Sequence, residues 1–247
     1  MQKLKLITLN IETNKHYNTV LPFLDKENPD VICLQEVPES FADNLNERGF
    51  QTSFAPMCIK NLGGELHSIG VMIASRLPFT TRSNYYHGSA SDVVSFDNKN
   101  HPDTTSFVYL LADIVVDGDV YRIATTHAPD TKDGKEDAFQ IVCMNKALEL
   151  LDVEQSHIIC GDFNMPRNYN SIYKNFTEKY QDGIPLIYKS SLDKSKHRLG
   201  NKDLNQPIFD IYMVDYIFTQ SPYEAKDVRL EFGVSDHAAV VGYISKI

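Results

Sequence analysis

The sequence predicts an α/β (α+β) fold in which two packed β-sheets are flanked by helices. Short apolar segments rich in β-branched residues recur along the chain, and a few longer segments show the apolar spacing of a helix. Strands and helices are mixed in their order, which favours layered sheets with helices outside. No Gly/Ser/Pro-rich linker or long run of like charge divides the 247 residues, so we expect one domain over residues 1–247.

The N-terminal part of the chain predicts strands separated by short helices. Asn28-Pro29-Asp30 breaks the first predicted helix, and Gly49 ends the second. A loop that contains Gly63-Gly64 joins two later strands. In chain order, we expect strands over Lys3–Asn10, Val31–Leu34, Gln51–Met57 and Ser68–Ala74, and helices over Thr19–Lys26 and Ser40–Arg48.

The remaining elements are separated from these by a predicted long loop, His87–Asp103, which has no clear apolar period. Ser106–Val116 and Asp119–Thr126 predict a hairpin across Asp117-Gly118. Asp137–Asp152 is predicted as a helix because its apolar residues lie on one face. We also expect strands that begin at Ile158 and that cover Ile211–Thr219 and Ala238–Ile244.

The strand that begins at Ile158 ends in Gly161-Asp162-Phe163-Asn164. In an extended chain, residues two positions apart point to the same side, so Asp162 and Asn164 are expected to face one pocket. Open sheets place their ligands at the carboxyl ends of strands, which makes this turn a candidate site. The structural alternative is a polar turn stabilised by its own side chains.

Polar side chains also stand at the ends or starts of other predicted strands. Each has a structural explanation of its own: Glu36 as a helix-capping acid, His127 as a turn residue and Asp236 as a strand cap. Their shared placement instead predicts one common site. The set consists of Asn10, Glu12, Glu36, His127, Asp162, Asn164, Asp236 and His237, with Asp215 inside a further strand.

Composition limits the functional classes. The net charge of −9 argues against a nucleic-acid binder that depends on overall charge, but a nuclease remains compatible because metal ions offset local acidity. The apolar runs are far shorter than the ~20 residues of a membrane span, and no secretory h-region is visible. The four cysteines lack metal-binding spacing. We therefore expect a cytoplasmic protein, with secretion by another route left open. We also expect a monomer.

A family resemblance is carried by five motifs in order: Leu9-Asn10, Leu34-Gln35-Glu36, Gly161-Asp162-Phe163-Asn164, Val214-Asp215-Tyr216 and Ser235-Asp236-His237. Together they resemble the endonuclease/exonuclease/phosphatase superfamily, whose members have the DNase I-like fold. The resemblance runs from residue 9 to residue 237. It implies a four-layer α/β/β/α sandwich of two mixed β-sheets, and Mg²⁺- or Mn²⁺-dependent hydrolysis of a phosphoester.

The resemblance also implies where the metal binds. Hard divalent cations prefer carboxylate and carbonyl oxygens, which agrees with the residue types at these strand ends. Glu36 is the expected main ligand, assisted directly or through water by Asn10, Glu12 or Asp236. Glu12 stands where the repair branch often carries aspartate, so its longer side chain leaves a direct ligand role open.

The remaining site residues take catalytic roles by the same resemblance. Asp162 aligns or deprotonates the attacking water, and Asn164 positions the water or the phosphate. His237 donates to a phosphate oxygen, and Asp215 fixes the tautomer of His237. His127 contacts phosphate or protonates the leaving oxygen. The expected reaction is in-line attack of water on phosphorus.

The substrate is narrowed by His127, because the DNase I-like and sphingomyelinase-like branches carry histidine there and abasic-site endonucleases carry tyrosine. The chain has no tryptophan, which disfavours the inositol polyphosphate 5-phosphatases. We expect a nuclease or nucleotide phosphodiesterase. The alternatives are a sphingomyelinase-type phospholipid phosphodiesterase, a small-molecule phosphatase and a catalytically silent binding module.

The stretch Arg167–Lys202 combines eight Lys or Arg residues with three acidic residues and several tyrosines. Cations interleaved with aromatic rings are typical of surfaces that bind single-stranded nucleic acid, so this stretch is the candidate nucleic-acid contact. The alternative is an ordinary amphipathic helix over Tyr169–Tyr180, with its aromatic rings in the core and its lysines in solvent.

Overall fold

The computed structural model describes residues 3–200 and 208–247, which form two mixed β-sheets packed face to face. The strands are β1 (Leu4–Asn10), β2 (Val31–Pro38), β3 (Gln51–Leu62), β4 (Glu65–Ser75), β5 (Phe79–His87), β6 (Phe107–Val116), β7 (Asp119–His127), β8 (Ile158–Asp162), β9 (Gln181–Asp182), β10 (Asp215–Thr219), β11 (Tyr223–Glu231) and β12 (Ala239–Lys246). The first sheet has the order β11-β12-β1-β2-β4-β3, and the second has the order β5-β6-β7-β8-β10-β9.

Helices cover the outer faces of both sheets. They are α1 (Tyr17–Glu27), α2 (Phe41–Asn46), α3 (Ala138–Asp152), α4 (Ile172–Thr177) and α5 (Ile208–Ile211), and a 3₁₀ turn occupies Ala90–Asp92. The Asp137 side chain caps α3 by accepting the backbone N–H of Gln140 at 2.8 Å. Within the described ranges, no helix has the length and apolar character needed to cross a membrane.

The layering follows from the alternation of apolar residues along the strands. In β1, Leu6 lies in the core between the two sheets, whereas Ile7 belongs to a second core with Val20 of α1 and Phe41 of α2. Successive side chains of a strand point to opposite faces, so a strand with apolar residues on both faces must be covered on both. The predicted four-layer arrangement is confirmed.

Three edge strands were not predicted from the sequence. β5 and the two-residue β9 lie at the two edges of the second sheet, and β11 lies at one edge of the first. β5 and β11 carry many polar or charged residues, as edge strands commonly do, and their faces are largely exposed or half-buried. A strand with one exposed edge and few buried positions gives little apolar signal.

Several predicted boundaries differ from the structure. The predicted strand Ile211–Thr219 begins only at Asp215, because α5 occupies residues 208–211. The predicted helix Tyr169–Tyr180 shortens to α4, which ends at Thr177. The β3–β4 hairpin is longer than predicted and turns at Gly63-Gly64, where both residues have positive φ.

In the Arg167–Lys202 stretch, Tyr169 is 39% exposed, whereas the other aromatic rings are buried or half-buried. Phe176 and Tyr180 are buried, and Phe176 packs edge-on against Phe163 with ring centroids 5.3 Å apart. For Phe176 and Tyr180, the alternative of an amphipathic helix with its aromatic rings in the core is therefore correct. Arg167 itself forms a buried ion pair with Asp182 at 2.7 Å, with 6% and 11% of the two side chains exposed. Lys202 lies outside the described residues.

Replacing Arg167 by methionine is expected to lower the free energy of unfolding by about 3 kcal/mol, because Asp182 then keeps a buried charge without its ion-pair partner. Urea unfolding measures the change. As a matched control, Lys146→Met removes one cation from an exposed pair with Glu149 and is expected to change stability by less than about 0.5 kcal/mol. Equal effects in both variants would show that the buried pair contributes no more than a surface pair.

Candidate active site

The strand ends that carry the predicted polar groups meet at one edge of the two sheets. β1 and β2 run parallel, with Asn10 opposite Gln35 and therefore beside Glu36. In the second sheet, β7 and β8 are parallel, with His127 opposite Asp162. The carboxyl ends of four strands thus converge, and a cleft of about 640 Å³ opens there.

Every residue predicted for the site is found at this cleft or directly below it. The lining includes Asn10, Glu12, Glu36, His127, Asp162, Asn164, Asp236 and His237. Asp215, the first residue of β10, lies opposite Asp162 in the sheet and is buried. The structure therefore brings the predicted residues together from both sheets.

Asp162 is the centre of the hydrogen-bond network. One carboxylate oxygen accepts from the side-chain amide of Asn10 at 3.1 Å and lies 3.6 Å from Nε2 of His127 and 3.7 Å from Nδ1 of His237. The other oxygen accepts the backbone N–H of Asn164 at 3.0 Å. Burial, together with the nearby Asp215 charge, raises the pKa of Asp162 despite the two histidines. A buried carboxylate with a raised pKa is suited to accept a proton.

His237 is held between two carboxylates. Its Nδ1 is 2.8 Å from Asp215 and 3.7 Å from Asp162, which leaves Nε2 for the cleft. Burial opposes protonation of this imidazole, but the charges of Asp215 and Asp162 raise its pKa well above the usual value. His237 is therefore a cation at neutral pH, with an N–H available to an anionic ligand. The second oxygen of Asp215 is buried without a hydrogen-bond partner within the described part of the chain.

Glu36 occupies a bulge in β2, where the register with β4 shifts between Leu34 and Val37. Its φ of +49° lies in the left-handed region that non-glycine residues rarely adopt. A β-bulge changes the direction in which a side chain points, and here it directs the Glu36 carboxylate into the cleft. That carboxylate accepts from Asn10 at 3.3 Å and pairs with Lys60 at 3.1 Å. Although burial opposes ionisation, these partners and His127 lower the pKa of Glu36 to about 2.

Glu12 and Asp236 bring further oxygen ligands to the same edge. Ligand atoms of Glu12, His16 and Asp236 lie within 4.8 Å of one another. Burial and the charges of Glu12 and Glu36 raise the pKa of Asp236, against the effect of its neighbour His237. A divalent cation would relieve this repulsion, and three carboxylates suit a hard cation such as Mg²⁺. The residues present therefore fit the metal that the sequence resemblance implies.

Asn164 joins the second sheet to the loop after β7. Its side-chain amide donates to the carbonyl of Ala128 at 2.9 Å and lies 3.3 Å from Nε2 of His127. Its φ of +50° again lies in the left-handed region. The side-chain amide of Asn164 therefore holds the His127 ring at the cleft beside Asp162. The backbone N–H of Asn164 is in turn held by its hydrogen bond to the Asp162 carboxylate.

Several cleft residues were not selected from the sequence. Lys60 stands on β3, while His101 comes from the predicted loop and pairs with Asp130 at 2.8 Å. His197 lines the cleft from a segment without regular secondary structure. No local pattern marks these three residues, because each reaches the site through the packing of a hairpin or loop. Arg198, which belongs to the stretch Arg167–Lys202 predicted as a nucleic-acid contact, also lines the cleft.

Comparison with known families finds one matching family model, described as the Endonuclease/Exonuclease/phosphatase family, over residues 7–237. Comparison with curated proteins finds none with a significant match. The matched range contains every residue of the network described above.

Solved structures share the fold at low sequence identity. An endonuclease/exonuclease/phosphatase from Beutenbergia cavernae is 17% identical with a TM-score of 0.72, and the match covers 100% of this chain and 72% of that one. The human Nocturnin catalytic domain with bound sulfate anion is 18% identical with a TM-score of 0.71, covering 99% and 94%. D. rerio TDP2 complexed with single strand DNA product is 15% identical with a TM-score of 0.68, covering 100% of both chains.

Proposed function

Because the chain belongs to the endonuclease/exonuclease/phosphatase family, we propose that it is a Mg²⁺- or Mn²⁺-dependent phosphodiester hydrolase, and specifically a nuclease or nucleotide phosphodiesterase. Family membership supports a phosphoesterase. The observation that carries the proposal is the contact of Asp162 with His237, beside the carboxylates of Glu36 and Asp236. It combines a proton acceptor, a cationic donor and an oxygen-rich cation site in one cleft.

Each of these side chains has its own role in the proposed reaction. Asp162 accepts the proton of the attacking water, and the backbone N–H of Asn164 keeps that carboxylate oriented. His237 donates from Nε2 to a phosphoryl oxygen and stabilises the negative charge that develops there. Asp215 fixes the tautomer and the charge of His237 through Nδ1. His127, whose Nε2 lies 3.6 Å from Asp162, contacts the phosphate or protonates the leaving oxygen when the phosphorus–oxygen bond breaks.

Glu36, Glu12 and Asp236 would hold the metal, with Asn10 keeping the Glu36 carboxylate in place. When bound, the divalent cation supplies Lewis-acid stabilisation of phosphoryl oxygens. With its pKa near 2, Glu36 is ionised throughout the neutral range and needs no deprotonation before it binds a cation.

Glu36→Gln is expected to weaken Mn²⁺ binding by at least about tenfold, because an amide replaces the main anionic ligand. Titration calorimetry on the folded protein measures this without any substrate. The matched control is Glu39→Gln, an exposed position three residues later that is expected to leave the affinity unchanged. Unchanged affinity in Glu36→Gln would remove Glu36 from the metal site.

The substrate class is supported by basic side chains in the cleft lining. Lys60 and Arg198 stand there with His237, beside the carboxylates assigned to the metal. Phosphate-bearing ligands are consistent with this, as are the single strand DNA product of D. rerio TDP2 and the sulfate of human Nocturnin. The phospholipid alternative is favoured by one observation: Leu186 and Ile187 are 71% and 81% exposed. Adjacent exposed apolar side chains are a feature that membrane contact would use.

A hydrolysis panel tests the proposal directly. It contains plasmid DNA, single-stranded DNA, RNA, bis-p-nitrophenyl phosphate, sphingomyelin and inositol phosphates, each with Mg²⁺, Mn²⁺ or EDTA. We expect metal-dependent cleavage of a polynucleotide or nucleotide that EDTA stops. Cleavage of sphingomyelin alone would select the phospholipid alternative. No turnover with any phosphoester would contradict the hydrolase proposal.

A further inference from the structure

The segment Ser190–Gly200 forms a wall of the cleft and is tied to the strand start that carries Asp236 and His237. Leu192 forms an isolated antiparallel β-bridge with His237. The backbone N–H of Asp193 donates to the carbonyl of Asp236 at 2.8 Å. The carboxylate of Asp193 is buried and accepts the backbone N–H of Ser195 at 2.8 Å. The wall is thus held in a fixed position relative to the reaction centre.

His197 in this wall has a defined tautomer. Its Nδ1 accepts the backbone N–H of Leu199 at 3.2 Å, and its ring packs edge-on against Phe209 with centroids 5.7 Å apart. A neutral imidazole has one acceptor nitrogen and one donor nitrogen. Since Nδ1 is the acceptor, Nε2 carries the proton. His197 therefore offers the cleft a hydrogen-bond donor and is not arranged as a metal ligand.

The pKa of His197, which lines the same cleft as His237, is lower than that of a free imidazole. Burial and the neighbouring cations His237 and Arg198 lower the pKa of His197 to about 4. His197 is therefore a neutral hydrogen-bond donor at neutral pH. A neutral donor binds an anion without adding a charge next to His237.

Arg198 supplies the charge that His197 lacks. Its side chain is exposed at the cleft, and no carboxylate of residues 3–200 or 208–247 pairs with it. In contrast, Arg82, Arg167 and Arg229 each form an ion pair. A guanidinium presents several donors in a fixed plane that matches phosphate oxygens. Arg198 is thus available to an external anion beside the reaction centre.

We propose that His197 and Arg198 form a second phosphate subsite, which binds a phosphate next to the one that is hydrolysed. The inference rests on the proposed hydrolase function and refines its substrate class. The substrate would be a phosphodiester with a second phosphate close by, as in an oligonucleotide or a nucleoside bisphosphate. The choline head group of sphingomyelin instead carries a cation, which Arg198 would repel.

Titration calorimetry with two ligands that differ by one phosphate tests the subsite. Thymidine 5′-monophosphate and thymidine 3′,5′-bisphosphate are titrated in Mg²⁺, and both are recovered and checked by chromatography to be intact. We expect the bisphosphate to bind the unaltered protein about tenfold more tightly than the monophosphate. Arg198→Met and His197→Phe should each remove most of this advantage. His197→Gln should retain part of it, because its amide N–H can replace Nε2–H.

The control is Lys189→Met, which removes one exposed cation from the same segment of the chain but outside the cleft lining. It is expected to keep the full preference for the bisphosphate. Equal affinity of the unaltered protein for the two ligands would overturn the subsite, as would a preserved preference in Arg198→Met. Equal losses for both ligands would place the pair at the reaction centre and also contradict it.

The binding measurements test the subsite and the turnover measurements test the hydrolase proposal, so either can fail without the other. If the phosphoester panel shows no turnover but the bisphosphate preference depends on Arg198, the hydrolase proposal fails and the subsite remains. If the panel shows turnover and the preference is absent, the subsite fails and the hydrolase proposal remains.

Discussion

Asp162→Asn is expected to reduce phosphodiester hydrolysis by about three orders of magnitude, because the amide cannot accept the proton of the attacking water. The substitution keeps the shape of the side chain, and its remaining oxygen can still accept the backbone N–H of Asn164. Single-turnover rates at saturating metal measure the chemical step directly. The fold should be retained, so the loss is attributable to chemistry.

The stability of this variant provides an internal check. Burial raises the pKa of Asp162 in the folded protein, so at neutral pH its charge lowers the free energy of unfolding. Asparagine has nearly the same shape as aspartate but no charge, so this destabilisation disappears. The melting temperature of Asp162→Asn should therefore be no lower than that of the unaltered protein. Asp119→Asn, an exposed carboxylate on the β6–β7 hairpin, is the matched control and should keep full activity. An unaltered rate in Asp162→Asn would remove this residue from the mechanism.

His237→Ala is expected to slow hydrolysis by two to three orders of magnitude, or about 3–4 kcal/mol of transition-state stabilisation. The substitution removes the cationic donor that Asp215 orients at 2.8 Å. Measurement of kcat at saturating substrate tests it, because a donor that acts mainly on the developing charge affects kcat more than KM.

Two further variants separate the chemical effect from a structural one. His237→Gln keeps a neutral N–H near the position of Nε2 and should recover part of the lost rate, although Asp215 still loses the donor that Nδ1 supplied. His67→Ala, a histidine of β4 outside the cleft lining, should leave kcat unchanged. A loss below about fivefold in His237→Ala would mean that the phosphate binds elsewhere in the cleft.

The residues at the carboxyl ends of central strands were predictable, because pairing in a sheet fixes which ends lie together. Asn10 and His127 each stand at the end of a strand whose parallel neighbour ends beside it. The apolar pattern identifies these strands, and the pairing then determines the edge at which their polar ends meet. The family and the four-layer fold follow from the same motifs, and both are confirmed.

The walls of the cleft were not predictable in the same way. Lys60 reaches Glu36 only because β3 and β4 continue to a turn at Gly63-Gly64, and the sequence predicted shorter strands. His197 reaches the cleft through backbone contacts of an irregular segment with residues far along the chain. Such contacts depend on tertiary packing, which leaves no periodic trace in the local sequence.

The buried ion pair of Arg167 was also not predictable from the sequence. It follows the Asp162–Asn164 turn closely, so the sequence favours a role in binding, yet its guanidinium pairs with Asp182 inside the protein. A single sequence records that a residue is basic but not whether a partner is buried beside it.

The positive φ angles at Glu36 and Asn164 have a consequence for directed evolution. Glycine adopts this backbone region without strain, so glycine at either position would relieve local conformational energy while deleting a side chain of the proposed active site. Selection for thermal stability alone would therefore favour variants that lose activity at these two positions. Any thermostabilising library of this protein should hold both codons fixed or be screened for turnover in parallel.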